Sequence, residues 1–183
     1  MPEDKRTVKT CTETKVVQTH RVFPSDLNHH ATLFGGKLMS LIDDTASISV
    51  SRFARNNSIV TASMDKLDFL HPIHSGHSVC VETYVTGAGN TSVEVFAKVM
   101  GEDLVTGERY IGATSFISFV VVKEHEDELI KLPQIQPETT EEKMVCEGYE
   151  MRRQKRLTDR DFNIRFAEAV SMLPPWLDEK EDK

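Results

Sequence analysis

The stretch Asn28-His29-His30-Ala31-Thr32-Leu33-Phe34-Gly35-Gly36-Lys37, continued by Leu38-Met39-Ser40-Leu41-Ile42-Asp43-Asp44 and on to Phe53, decides the fold. A polar turn runs into a double glycine, and from Gly36 the apolar residues take a helical period. At about 100° per residue, Leu38, Ile42, Ala46, Ser49 and Phe53 fall on one side, with Met39 and Val50 widening the stripe. Lys37 and Asp44 project away from it, and Asp43 lies at its edge. A helix of about five turns carrying one apolar stripe needs a sheet to wrap it.

Strands flank that helix on both sides. Val16, Val17 and Val22 mark a first short strand, closed by Phe23-Pro24-Ser25-Asp26. After Asn56-Asn57-Ser58, residues 59–69 read as a strand with Val60, Ala62 and Met64 on one face and Thr61, Ser63 and Asp65 on the other. The apolar parity then switches to Leu67 and Phe69, which predicts a bulge near Asp65-Lys66. Val79 to Val85 and Val93 to Val99 alternate around a turn at Gly87-Ala88-Gly89-Asn90, a hairpin with one buried and one wetter face. Tyr110 to Val122 is apolar enough for a central strand. Strand, helix, then four successive strands is an α+β order, not an alternating βαβ one.

The expected organisation is a flexible N-terminus over residues 1–13, one domain over 14–125 and a charged, partly helical extension over 126–183. In that extension Arg152, Arg153, Lys155 and Arg156 cluster, and Asp178 to Lys183 reads as a solvated tail. A net charge of −7 excludes a general nucleic-acid binder, whose affinity rests on Lys and Arg at phosphates. Cys11, Cys80 and Cys146 are odd in number and far apart, with no disulfide framework or CxxC pair. No apolar run approaches the roughly 18 residues of a membrane span, and the cytoplasm is the expected compartment.

Chemistry concentrates in the opening stretch. Gly35-Gly36 at a helix start lets a carbonyl oxygen approach backbone N–H groups at the positive end of the helix dipole, or else lets the helix pack tightly under the sheet. Asp43, bordering the stripe, is placed to activate water if partly desolvated, or else to pair with a nearby cation. Asn28 can orient water or a carbonyl through its amide, and His29 and His30 are possible bases or merely polar turn residues. His71, His74 and His77 are spaced like metal ligands but straddle Pro72 and Gly76 without a fourth donor, so no metal is expected. No Gly-x-Ser-x-Gly elbow, P-loop or dinucleotide fingerprint occurs.

The blocks Asn28 to Met39 with Ile42-Asp43, Val60-Thr61-Ala62-Ser63, and Asp68-Phe69-Leu70-His71-Pro72-Ile73 resemble the hotdog-fold acyl-CoA thioesterases, in particular the bacterial YkhA/YciA group related to mammalian cytosolic acyl-CoA thioesterases. The likeness spans residues 14–123. It implies a long central helix wrapped by a curved antiparallel sheet, and two such units joined into one continuous sheet with the site at their interface. It makes a dimer obligatory and a hexamer, as a trimer of dimers, the expected assembly. By that resemblance Asp43 is the catalytic carboxylate, as general base or nucleophile. Asn28 comes from the other subunit, Gly36 belongs to the oxyanion hole of the Asp43 subunit, and Thr61 positions water. Contacts to acyl-CoA fall on Gly35, Ala62-Ser63-Met64 and Thr91-Ser92-Val93, where backbone groups beside a turn are expected to be open to a ligand. Arg152 and Arg153 are candidates for the CoA phosphates. The implied reaction is hydrolysis of acyl-CoA to a free acid and CoA, with no cofactor beyond the CoA of the substrate itself. The alternative is a non-catalytic hotdog module that senses acyl-CoA, although no helix-turn-helix pattern precedes residue 15.

Overall fold

The computed structural model describes residues 7–123 and 129–173; the acidic end at 178–183 lies outside them. The chain divides into two compact units between Glu147 and Gly148. In the first, the elements are β1 (Val8–Thr10), α1 (Cys11–Thr14), β2 (Val16–Arg21), α2 (Gly35–Ala54), β3 (Ile59–Phe69), β4 (Ser78–Ala88), β5 (Ser92–Glu102), β6 (Arg109–Val121), β7 (Gln134–Gln136) and α3 (Thr140–Glu147). The second contains α4 (Tyr149–Ala169), a helix none of whose residues is buried.

Five strands form one antiparallel sheet in the order β2-β4-β5-β6-β3, the hotdog arrangement the resemblance implies. α2 lies on its inner face. Leu38, Ile42, Ala46, Val50 and Phe53 are buried there against Val81, Val95, Ile117 and Phe119. Each of these side chains other than Ala46 contributes about 1.5–3 kcal/mol of apolar transfer energy. A polar lock sits within this apolar contact: Ser49 Oγ meets Thr83 Oγ1 at 2.7 Å, and Thr83 Oγ1 donates to the Thr45 carbonyl at 3.2 Å. Met39, expected to widen the stripe, is instead 43% exposed.

Residues 8–13, read from the sequence as part of a flexible N-terminus, are built into the fold together with Thr14. Thr10 and Glu13 form a reciprocal capping box at the start of α1. Thr14 Oγ1 accepts the Val85 amide at 3.0 Å, beside the bulge in β4. Lys9 Nζ donates to the carbonyls of Arg52 and Phe53 at 2.7 and 3.0 Å, closing the C-terminus of α2 with a cation.

The hairpin face expected to be wetter is covered at its centre. Tyr84 is fully buried there with Cys11, Phe96 and Val145, in a second small core roofed by α1 and α3. α3 thus belongs with the sheet, and the compact unit runs past the expected boundary at 125. Thr139 and Glu142 cap α3 reciprocally: Glu142 N donates to Thr139 Oγ1 at 3.1 Å and Thr139 N to Glu142 Oε2 at 3.0 Å. Lys98 then ties α3 to the sheet, bonding Glu141 at 2.9 Å and Glu82 at 3.3 Å.

Candidate active site

The start of α2 is built to leave its amides open. The first turn of a helix carries N–H groups without intrahelical partners, and the N-cap here is Phe34, which makes no side-chain cap. The first intrahelical bond is Leu38 N to Phe34 O at 3.0 Å. A Cβ on Gly36 would meet the Phe34 ring at 2.6 Å, so the glycine lets that ring fold across the helix start. Phe34 itself is fixed by its amide, which donates to the Asp26 carbonyl at 2.8 Å.

Asn28 shapes the loop that delivers this helix. Its Oδ1 accepts the amides of His30 at 2.9 Å and Thr32 at 3.3 Å, and its Nδ2 donates to Thr32 Oγ1 at 3.0 Å. One Nδ2 hydrogen remains to be offered outward. Asn28, Gly35 and Leu38 line a groove of about 380 Å³ together with Phe69, His71 and Ile73. The rings of His29 and His30 touch at a tilt of 44° with centroids 3.8 Å apart, both exposed. His71 Nδ1 meets the Ile111 carbonyl at 2.8 Å and His77 Nδ1 the Tyr110 hydroxyl at 2.9 Å. Among the described residues no trio of His, Cys, Asp or Glu is placed to hold a metal ion.

Asp43 is half-buried two turns further along α2, where Thr61 Oγ1 donates to its Oδ1 at 2.8 Å. The sequence put Thr61 on the face opposite Met64. The strand contains the expected bulge at Asp65 and a second one at Ala62, and the latter shifts the register so that Thr61 and Met64 pair with Phe119 and Ile117. Both therefore face α2. Asp44 is exposed, as the wheel predicts.

The remaining expected contacts separate. Ala62 is exposed in its bulge. Ser63 lies on the outer face, donating to Asp65, which also accepts from Ser118 at 3.2 Å. Met64 packs on the core and Val93 is buried in it. At the β4–β5 turn, part of the backbone expected to be open is already bonded: Val121 N donates to the Thr91 carbonyl and Gly89 N to the Ser92 carbonyl, both at 2.8 Å. The half-buried side chains of Thr91 and Ser92 are what this turn presents. In the second unit, Arg153 Nη1 pairs with Glu150 at 3.0 Å and Arg152 lies beside it on α4.

One expected grouping is spread along the helix. The sequence assigned Gly36 and Asp43 of the same subunit to one reaction centre, but seven residues of helix separate them by about 10 Å. Gly35 shares its groove with Asn28, and Asp43 pairs with Thr61. A single chain thus carries two separate clusters along α2. The sequence also gave no notice of Thr32 and Phe69 as parts of the first, although Thr32 stands four residues from Asn28 in the same turn.

Residues 30–108 match the thioesterase superfamily. The uncharacterized acyl-CoA thioester hydrolase YkhA of Bacillus subtilis is 49% identical over 166 residues, 91% of this chain and 95% of that protein. This chain belongs to the acyl-CoA thioester hydrolases. Its structure resembles an acyl-CoA hydrolase from Bacillus cereus with a TM-score of 0.84 at 42% identity, covering 91% of this chain and 100% of that one. An acyl-CoA hydrolase from Staphylococcus aureus, solved in complex with butyryl coenzyme A, coenzyme A and coenzyme A disulfide, gives 0.81 at 33% identity, covering 88% and 97%. That Staphylococcus aureus enzyme has also been solved as alanine variants at an asparagine, an aspartate and a threonine. A hexameric acyl-CoA thioesterase in its apo form gives 0.78 at 34% identity, covering 84% and 97%. Among the described residues of the present chain, no helix is long and apolar enough to cross a membrane.

Proposed function

We propose that this protein hydrolyses acyl-CoA at a site completed by two copies of the chain, with Asp43 and Thr61 from one and Asn28, Gly35 and Gly36 from its partner. The observation that carries this reading is the separation of the Asp43–Thr61 pair from the Asn28–Gly35 groove in a chain whose β3 is, among the described residues, an edge strand of the sheet. Antiparallel pairing of β3 with its counterpart about a two-fold axis near Met64 and Asp65 sets Thr61 of one copy opposite the Asp68–Phe69 end of the other. Phe69 lines the Asn28 groove, so each groove then faces a partner's Asp43. Exposed apolar residues surround this edge: Phe34, Met39, Val60, Phe69 and Leu70 are 43–58% exposed. Such a cluster is what a partner surface covers. Three such dimers forming a hexamer is the assembly proposed with it.

The Asp43 carboxylate, oriented by Thr61, takes a proton from water as the water oxygen attacks the thioester carbon, or attacks that carbon itself. The partner's Gly36 amide and Asn28 Nδ2 hydrogen receive the developing oxyanion. Collapse breaks the C–S bond and expels CoA thiolate. With water as the attacking group the acid leaves directly. With Asp43 as the attacking group, water then hydrolyses the acyl–Asp43 anhydride to the acid and free Asp43. In either case the proton of that water goes to the thiolate. Ala62, Ser63, Thr91 and Ser92 contact the CoA moiety. Arg152 and Arg153 meet its phosphates, a role supported by charge alone in a chain of net charge −7. The chemistry draws on no metal or further cofactor, and the cytoplasm is the compartment proposed with it.

The test is hydrolysis of an acyl-CoA series by purified protein beside Asp43→Ala. Turnover should fall by about 10²–10⁴-fold, the scale of a lost acid–base group, with the fold intact by circular dichroism. Near-native turnover by folded Asp43→Ala removes Asp43 from the mechanism. Acyl-CoA binding without turnover by the unaltered protein leaves a sensing module.

A further inference from the structure

Cys11 and Cys146 stand 135 residues apart in the sequence, yet their sulfurs lie 3.6 Å apart in the fold. Cys11 opens α1 and is 0% exposed; Cys146 sits in the last turn of α3 and is half-buried. Both belong to the second small core on the outer face of the sheet, beside Tyr84, Phe96 and Val145. This place is away from Asp43 and from the Asn28 groove, and hydrolysis makes no use of it. All three cysteines are thiols in the structure.

We propose that Cys11 and Cys146 form an oxidisable dithiol, a modification site at which a low-molecular-weight disulfide is reduced and an intramolecular Cys11–Cys146 disulfide forms. The sulfurs must close from 3.6 Å to the bonded separation of about 2.05 Å, a movement of the order that side-chain rotation supplies. Neither backbone can drift far during that closure. α1 is pinned to β4 through Thr14 and Val85, and α3 is pinned to the sheet through Lys98 and Glu141.

Exposure sets the order of steps. The half-buried Cys146 thiol gives up its proton to solvent, and its sulfur attacks one sulfur of the small disulfide RSSR. This makes Cys146–S–S–R and releases RS⁻. Cys11 then loses its proton and attacks the Cys146 sulfur, forming the protein disulfide and releasing the second RS⁻. The two protons end on two RSH; two protein thiols have been oxidised and one small disulfide reduced. The hydrogen bond to Cys146, followed by burial, pushes the Cys11 thiol far above its ordinary range. Cys11 therefore stays protonated until the mixed disulfide brings an electrophilic sulfur against it. Cys80, opposite Met100 and Thr19 in the sheet, provides an internal control.

The consequence is a staple between the first helix and the last helix of the same unit. Because it closes a loop of more than a hundred residues, it removes much of the freedom of the unfolded chain. The probe is oxidised glutathione, added to the whole protein in its native assembly, followed by acid quenching, alkylation under denaturing conditions and non-reducing peptide mapping. One alkylatable thiol per chain, at Cys80, should remain, together with a linked Cys11–Cys146 peptide pair. The melting temperature should rise by about 5 °C or more and fall back on reduction with dithiothreitol. Cys11→Ser should trap glutathione on Cys146, whereas Cys146→Ser should leave Cys11 unmodified. Three alkylatable thiols after oxidation, glutathione held on Cys146 with Cys11 still a free thiol, or linkage only between chains would each overturn the proposal. The mapping of the unaltered protein decides the matter even if a serine variant fails to fold.

Discussion

Thr61 is the side chain whose role is most exposed to test, because its one bond to Asp43 both fixes the carboxylate and satisfies one of its lone pairs. Thr61→Val keeps the shape and removes the donor. A hydrogen bond to a charged group contributes about 1.5–3 kcal/mol, so kcat should fall by about 10–100-fold with the melting temperature nearly unchanged. An unchanged kcat would make the contact incidental. Arg55 offers an independent check on the backbone. It ends α2 at φ 54°, a left-handed conformation that suits glycine, while its amide still donates to Ser51 O at 2.9 Å. Arg55→Gly should raise stability by about 0.5–1 kcal/mol in urea titration, since the strain of a Cβ there exceeds the added freedom of the unfolded chain. A destabilised variant would mean that the Arg55 side chain contributes more than its backbone costs.

At the level of elements, α2 was legible because its apolar period is unambiguous and Asp43 fell on its edge. The bulge at Asp65 was legible from a switch in parity. The bulge at Ala62 was not, because Thr61 at an inward position carries no hydrophobic mark and the inward residues Ile59, Thr61, Met64 and Leu67 follow no single period. The cover over Tyr84 was hidden for a different reason: it comes from α1 and from a polar helix more than fifty residues later. Two signals did exist, since Thr10-x-x-Glu13 and Thr139-x-x-Glu142 are capping boxes. Glu142 yields a pH prediction. Burial pushes its carboxyl up, but the amides of Thr139 and Glu138 and the nearby Lys15 more than offset this and hold it below the ordinary 4.5. A depressed carboxyl contributes stability that is fully present above that ordinary value and is lost as pH falls through the lower folded value. The melting temperature should therefore drop on acidification below about pH 4.5, and Glu142→Gln should flatten that part of the decline. An identical acid limb in the variant would assign the loss to other carboxylates.

For the whole molecule, the proposed shared site turns on two residue clusters spaced along one stiff helix. The open amides and Asn28 lie at one end, and Asp43 with Thr61 lies about 10 Å further along α2. A rigid helix holds these two clusters at that spacing, so the proposal brings in a second copy to complete the site. Asn28→Ala and Asp43→Ala, each nearly inactive alone, supply the direct measurement when their subunits are unfolded, mixed in equal amounts and refolded together. Each mixed dimer should contain one intact site of its two. With random pairing half the dimers are mixed, so hydrolysis should return to about a quarter of the unaltered rate while either variant refolded alone stays inactive. Activity that remains at the level of the single variants, with mixed dimers present by mass spectrometry, would place both residues in one chain's site and contradict the account.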